Sequence, residues 1–216
     1  MTKTIYDKYD KTRIGGLPSV TFSGRIFVVT TESEAIRAVD YLMTQPLLGF
    51  DTETRPSFRH GESHKVALMQ VSTPHTCFLF RLNHLGIPQC IISLLEDTTV
   101  TKVGLSLKDD FVMLQRRTKF KRGTFIDIQN EVKSIGIEDG SLQKIYANLF
   151  GQRISKRQQL SNWEADILTE AQKQYAATDA WACIQIYEEI QRLKQTRDFS
   201  LIKSEDDTIS NINNPT

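Results

Sequence analysis

A single α/β domain built around a mixed β-sheet is the fold class the sequence predicts, and three observations carry that prediction. Strand-like apolar runs crowd the first third of the chain, at 25–31, 47–54, 66–73 and 76–82, and helical periodicity dominates afterwards. Connections containing Pro56 and Gly61, then Pro74 and His75, favour antiparallel neighbours among the last three runs. The length of 216 residues suits one domain, and a hydrophobic fraction of 39% can bury a core without disulfide or metal staples.

Taken in order, residues 1–24 mix charge, Gly15–Gly16 and Pro18 with no sustained period, and are expected to lie as an N-terminal arm over the domain. "RIFVVTT" (25–31) reads as a strand. Thr31 and Glu34 make a capping box for a helix over about 32–45, with Ala35, Ile36, Val39, Leu42 and Met43 at helical spacing. Then come "LLGFDTET", "VALMQVST" and "TCFLFRL" as strands. Pro88 opens a helix through Glu96, "TKVGL" (101–105) is a short strand, and a helix follows over about 107–117. "FIDIQNEV" fits strand and helix equally. "SLQKIYANLF" (141–150) is helical and stops at Gly151. The longest helix spans 168–195 with Thr169 as its cap, so the domain is expected to cover 25–195. The polar, aperiodic segment 196–216 reads as a flexible tail.

The charges nearly balance, with a net value of +1, so overall charge gives no argument for nucleic acid and only local clusters could. Cys77, Cys90 and Cys183 are odd in number and far apart, which favours reduced, packed thiols. No charged-then-apolar leader opens the chain, and no apolar run approaches the roughly 18 residues of a membrane span. An intracellular, cytoplasmic protein is the expectation.

Four carboxylates fall where acids are unexpected. Asp51 and Glu53 alternate on one strand and so share a face. In the helix from Leu107, Asp110 lies inside the stripe defined by Leu107, Phe111 and Leu114, whereas Asp109 points away. In the long helix, Asp179 shares a stripe with Tyr175, Ala182, Ile186 and Leu193. Taken singly, each acid fits a solvated turn or a buried ion pair. Together they would need several separate buried cations, and a pair of hard divalent ions, Mg²⁺ or Mn²⁺, explains all four at once. Two such ions can clamp an in-line phosphoryl displacement, and the Tyr175 phenol could then position the attacking water.

Asp51-x-Glu53, Gly104 followed by Asp110 and Leu114, and Tyr175-x-x-x-Asp179 resemble the three exonuclease motifs of the DEDD superfamily. The tyrosine of the third places the likeness in its DEDDy branch, with ribonuclease D and proofreading exonuclease domains. "KVALMQVS", "SNW" (161–163) and "LTEAQKQYAATDAWA" look very similar to the exonuclease domain of the Werner syndrome protein. The likeness runs over roughly 25–195. It implies a ribonuclease H-like fold and a 3′–5′ exonuclease using two Mg²⁺ or Mn²⁺ ions. It further implies that Asp51 bridges both ions, Glu53 and Asp179 hold one, Asp110 serves the other through water, and Tyr175 orients the nucleophile. Ser106 stands where many relatives carry Asn. No helicase region follows, and the last twenty residues leave no room for a helical nucleic-acid-binding domain of the ribonuclease D kind, so substrate capture is expected from this domain or a partner.

Candidate nucleic-acid contacts lie in "RPSFRHGESHK" (55–65), where Arg55, Arg59, His60, His64 and Lys65 surround Phe58, and in "RISKR" (153–157), with Lys156 and Arg157. "RRTKFKR" (116–122) is denser in charge but reads more as a solvated surface, and Trp163 more as core than as a base platform. The expected partner is nucleic acid with a free 3′ end. DNA is favoured over RNA on the Werner likeness, and no 2′-hydroxyl reader is evident. Two other readings stand beside this one: a non-catalytic nucleic-acid-binding module on the same fold, and a glycosidase using two acids. The second leaves Asp110, Tyr175 and Asp179 unexplained.

Overall fold

A computed structural model describes residues 2–59 and 61–204. In chain order its elements are β1 (Lys3–Tyr6), α1 (Lys11–Ile14), β2 (Arg25–Val29), α2 (Glu32–Leu42), β3 (Leu47–Thr54), β4 (Val66–Ser72), β5 (Thr76–Arg81) and α3 (Leu82–Leu85). There follow α4 (Gln89–Glu96), β6 (Thr101–Gly104), α5 (Leu107–Gln115), β7 (Phe125–Asp127), α6 (Ile128–Lys133), α7 (Leu142–Phe150), α8 (Glu170–Thr196) and β8 (Phe199–Ile202).

Six strands form one mixed sheet in the order β2-β5-β4-β3-β6-β7. β4 runs antiparallel to both β3 and β5, as the Pro- and Gly-containing connections predict, and every other pairing in this sheet is parallel. One face carries Leu48, Phe50, Met69, Val71 and Phe80 against side chains of α2, α4 and α5. Across the other face lies α8, with Ala176 and Ala177 against Leu68 and Leu79. Farther along α8, Ile184, Ile186 and Ile190 pack with residues of α6 and α7. The predicted stripe on α8 is the one it buries: Asp179, Ala182, Ile186 and Leu193 are all inside.

Helix ends follow local chemistry. The Thr31/Glu34 capping box is present, and Thr169 with Gln172 makes a second at the start of α8. Gly151 ends α7 in the left-handed region, φ 62°. "FIDIQNEV" resolves into strand and helix in turn, with Asp127 as the joint that caps α6 by accepting from Gln129 N–H.

Both chain ends depart from expectation. The segment 1–24 is not only an irregular arm: it contributes β1, and Phe199–Ile202 is not tail but β8, its parallel partner. Pattern alone misses them because a two-stranded ribbon between residues so distant has no local signature. Residues 205–216, the rest of the expected tail, lie outside the described residues. Among the described residues, no helix is long and apolar enough to cross a membrane. Cys77 and Cys183 are buried, Cys90 is half-buried, and all three are free thiols.

Candidate active site

Strand β3 delivers Asp51 and Glu53 to the face that α8 covers, opposite Gln70 and Leu68 of β4. One pleat earlier stands Gly49. A Cβ there would fall 1.9 Å from the Ala180 carbonyl oxygen, so only hydrogen fits. That close approach seats the α8 backbone on the strand and brings Asp179, the residue before Ala180, against Asp51 and Glu53. Carboxylate oxygens of the three acids lie within 4.8 Å of one another. Asp179 is buried, and its Oδ1 has no hydrogen-bond partner.

Asp110 reaches the site from another element. It rises on α5 from the opposite face of the sheet, and its Oδ1 accepts a hydrogen bond from Thr52 Oγ1. Thr52 does point away from Asp51 and Glu53, as strand alternation requires, and it does so toward Asp110. The fourth acid therefore borders the cluster of three without joining it. Asp110 is half-buried and Asp109 exposed, as the helical stripe predicts.

The seat of α5 depends on Asp127. Its carboxylate accepts from the N–H groups of Ser106 (3.1 Å) and Leu107 (3.0 Å) as well as from Gln129 (2.9 Å), so one side chain caps two helices. Ser106 itself caps nothing. It sits in the left-handed region, φ 59°, a conformation in which Asn is several-fold enriched. Asp127→Ala removes both caps, at about 1 kcal/mol each, and a calorimetric Tm lower by roughly 4–8 °C is the expected outcome.

Tyr175, one turn before Asp179, is half-buried and packs on the fully buried Trp163, ring centroids 5.9 Å apart. Trp163 is thus core, as expected, and it backs the phenol. Tyr175, Asp179, Ser106 and Lys156 line one cavity of about 310 Å³. The ammonium of Lys156 is near enough to pull the Asp179 carboxyl down.

Burial dominates the electrostatics and opposes ionisation of every acid. The Asp51 carboxyl is pushed well above the usual range by burial, then by Asp110 and Asp179. Burial and the Asp51 charge raise Glu53 to about 10. Burial raises Asp110 to about 6, with Thr52 pulling the other way, and Asp179 to about 7 against Tyr175 and Lys156. Burial, Asp179 and Glu53 push the Tyr175 phenol upward, so it stays protonated at neutral pH. These acids bind protons more tightly folded than unfolded. For Asp110 and Asp179 that contribution is complete below the ordinary carboxylate pKa and is lost as pH rises through about 6 and 7, whereas for Glu53 the loss continues up to about 10. The Tm of metal-free protein should therefore fall between pH 5 and pH 8, and the increment added by Mg²⁺ should grow over the same interval. Differential scanning fluorimetry with and without chelator reads both.

Crowded, desolvated carboxylates and an orphaned Asp179 oxygen are what an oxygen-coordinated divalent cation would satisfy. No other cluster of three or more such ligands occurs among the described residues. The residues present fit a hard cation.

The predicted nucleic-acid contacts divide. Arg55, Phe58, Arg59 and His64 line a second cavity of about 370 Å³ with Leu160 and Asn162. Phe58 is 81% and Leu160 69% exposed. Leu160 has no periodic signal in sequence, because it stands in an irregular loop and meets Phe58 only in space. Arg55 Nη1 and His64 Nδ1 each lie 3.4 Å from an oxygen of Glu164, which ties the two loops together. Lys65, Lys156 and Arg157 are exposed, and Arg157 lines a pocket that shares Tyr175. His60 lies outside the described residues. In the 116–122 cluster, Arg117 donates to the Val66 carbonyl (2.6 Å) and Arg122 lies over the Phe111 ring (3.8 Å), so part of it is structural.

The chain is similar to several known proteins. Mouse bifunctional 3′-5′ exonuclease/ATP-dependent helicase WRN is 33% identical over 168 residues, covering 74% of this chain and 12% of that protein. A 3′-5′ exonuclease of Arabidopsis thaliana is 31% identical over 210 residues, covering 89% of this chain and 73% of the relative. The solved structure of Escherichia coli RNase D, an exoribonuclease involved in structured RNA processing, superposes with a TM-score of 0.71 at 19% identity, over 78% of this chain and 45% of that one. That neighbour supports the ribonuclease H-like fold. The family model for 3′-5′ exonuclease domains matches residues 26–194, and the chain belongs to that family.

Proposed function

We propose that this protein removes nucleotides from the 3′ end of nucleic acid by hydrolysing phosphodiester bonds, with Asp51, Glu53 and Asp179 holding divalent metal. The observation that carries this reading is the convergence of three desolvated carboxylates, one with an orphaned oxygen, beside a phenol and a lysine. Two bound Mg²⁺ or Mn²⁺ ions would supply Lewis-acid stabilisation of the attacking and leaving oxygens. Asp110, fixed by Thr52, borders the cluster and completes the acidic set. Tyr175 keeps its proton at neutral pH, so it orients the nucleophile by hydrogen bonding and is not a general base. Lys156 faces the cavity of Asp179 and offers a cation to a phosphate. Phe58 and Leu160 offer apolar surface to bases, with Arg55, Arg59, Lys65 and Arg157 along the backbone path.

DNA is the favoured substrate. The 33% identity is to a helicase-linked exonuclease, whereas the ribonuclease D likeness, at 19%, speaks for fold alone. RNA trimming is the second reading, supported by that shared fold and by the neighbouring Trypanosoma brucei RNase D solved in complex with RNA U12. The test is a side-by-side assay on 5′-labelled DNA and RNA of matched sequence, with Mg²⁺ and with Mn²⁺. A ladder shortening from the 3′ end, faster on DNA, is expected. If single strands, recessed duplexes and RNAs all stay intact, the enzymatic reading fails and the non-catalytic module replaces it.

A further inference from the structure

Gln70 is the one polar residue in the run Val66–Val71 of β4, and its side chain is fully buried. It stands directly opposite Asp51 in the antiparallel ladder, on the same face of the sheet. Its Nε2 donates to Asp51 Oδ2 at 3.2 Å. With Asp51 ionised, as a bound cation requires, the amide must present its nitrogen, since the flipped form would set an oxygen against the carboxylate. That orientation leaves Gln70 Oε1 buried with no partner.

An unsatisfied acceptor in a fully buried side chain destabilises a fold. Methionine has the same length and would fill this space without that penalty. Packing therefore does not select glutamine here; the demand comes from Asp51. A lysine or arginine would hold Asp51 more strongly but would cancel the charge a cation needs. The carboxamide is a donor without charge: it fixes the carboxylate's rotation and leaves its negative charge available. Outer partners of this kind, which orient a ligand, are worth 10–100-fold in metal affinity.

Resting on the metal-dependent reading above, we propose that Gln70 is a positioning residue for the metal site, retained at a cost to stability in order to orient Asp51 for a divalent cation. The experiment pairs two measurements on Gln70→Met and wild type: Mn²⁺ affinity by electron paramagnetic resonance of the free ion, and Tm in chelator. Mn²⁺ affinity lower by 10–100-fold, with a metal-free Tm unchanged or raised, is the expected result. A merely structural glutamine would give the opposite pattern, with a lower metal-free Tm and Mn²⁺ affinity within twofold of wild type, and that would overturn the proposal. Should Gln70→Met not fold, Gln70→Leu is read by the same two measurements. If wild type itself binds no Mn²⁺, the metal reading falls and this proposal with it; wild-type binding matched by the variant overturns the role of Gln70 alone.

Discussion

Asp179→Asn is expected to lose roughly 10³-fold in turnover while its metal-free fold becomes more heat-stable. Both effects share one cause. Asp179 sits buried within 4.8 Å of two other carboxylates, with one oxygen unpartnered. Above pH 7 its charge is held against burial, so replacing it with a neutral amide relieves the metal-free protein. A gain of 1 kcal/mol corresponds to about 2–4 °C in Tm at this chain length. The same change removes a charged oxygen from the proposed cation site. Metal stabilisation of transition-state charge is worth several kcal/mol, and at about 1.4 kcal/mol per decade this corresponds to roughly 10³-fold. The measurements are single-turnover degradation with saturating Mg²⁺ and a melting curve in chelator. Loss of activity accompanied by a lower metal-free Tm would mean that Asp179 holds the fold and not a cation.

Gly49→Ala should be the most damaging single methyl group. The added carbon would meet the Ala180 carbonyl oxygen at 1.9 Å and its carbon at 2.8 Å, both backbone atoms with no rotamer to adjust. To restore ordinary contact, α8 must recede from β3 by about 1 Å or more. Overpacking of this kind costs about 1–3 kcal/mol, or a Tm drop of roughly 2–12 °C. Asp179 moves with Ala180, and a misplacement of about 1 Å at a reacting site can cost 10²-fold. Folded protein with turnover down about 10²-fold is the expected outcome. Gly15→Ala is the control, since a Cβ at Gly15 meets nothing within 4 Å and its φ is −57°.

Sequence made one half of this site legible and hid the other, for physical reasons. Asp51 and Glu53 share a strand face, and Tyr175 and Asp179 share a helical stripe, because periodicity fixes direction within an element. The capping residues Thr31 and Thr169 were readable for the same local reason. What joins elements was not readable. That Asp110 is held by Thr52 at the border of the three-acid cluster depends on which sheet face α5 covers. Asp127 fell in a stretch that fits strand and helix equally, because it is the joint between them and its carboxylate serves a helix twenty residues away. Gln70 is one polar letter in a buried strand, and its meaning comes from the register that sets it against Asp51. Leu160 and Phe58 belong to separate loops and meet only at a shared cavity. The pairing of β1 with β8 escaped for the same reason, since nothing local marks two short strands nearly two hundred residues apart.

The measurement that bears most directly on the central claim is anomalous diffraction from crystals equilibrated with Mn²⁺. The account predicts a peak among the carboxylate oxygens of Asp51, Glu53 and Asp179, and its loss in crystals of Asp179→Asn. Active crystals with no peak at those three side chains, or with manganese bound elsewhere in the chain, would contradict it.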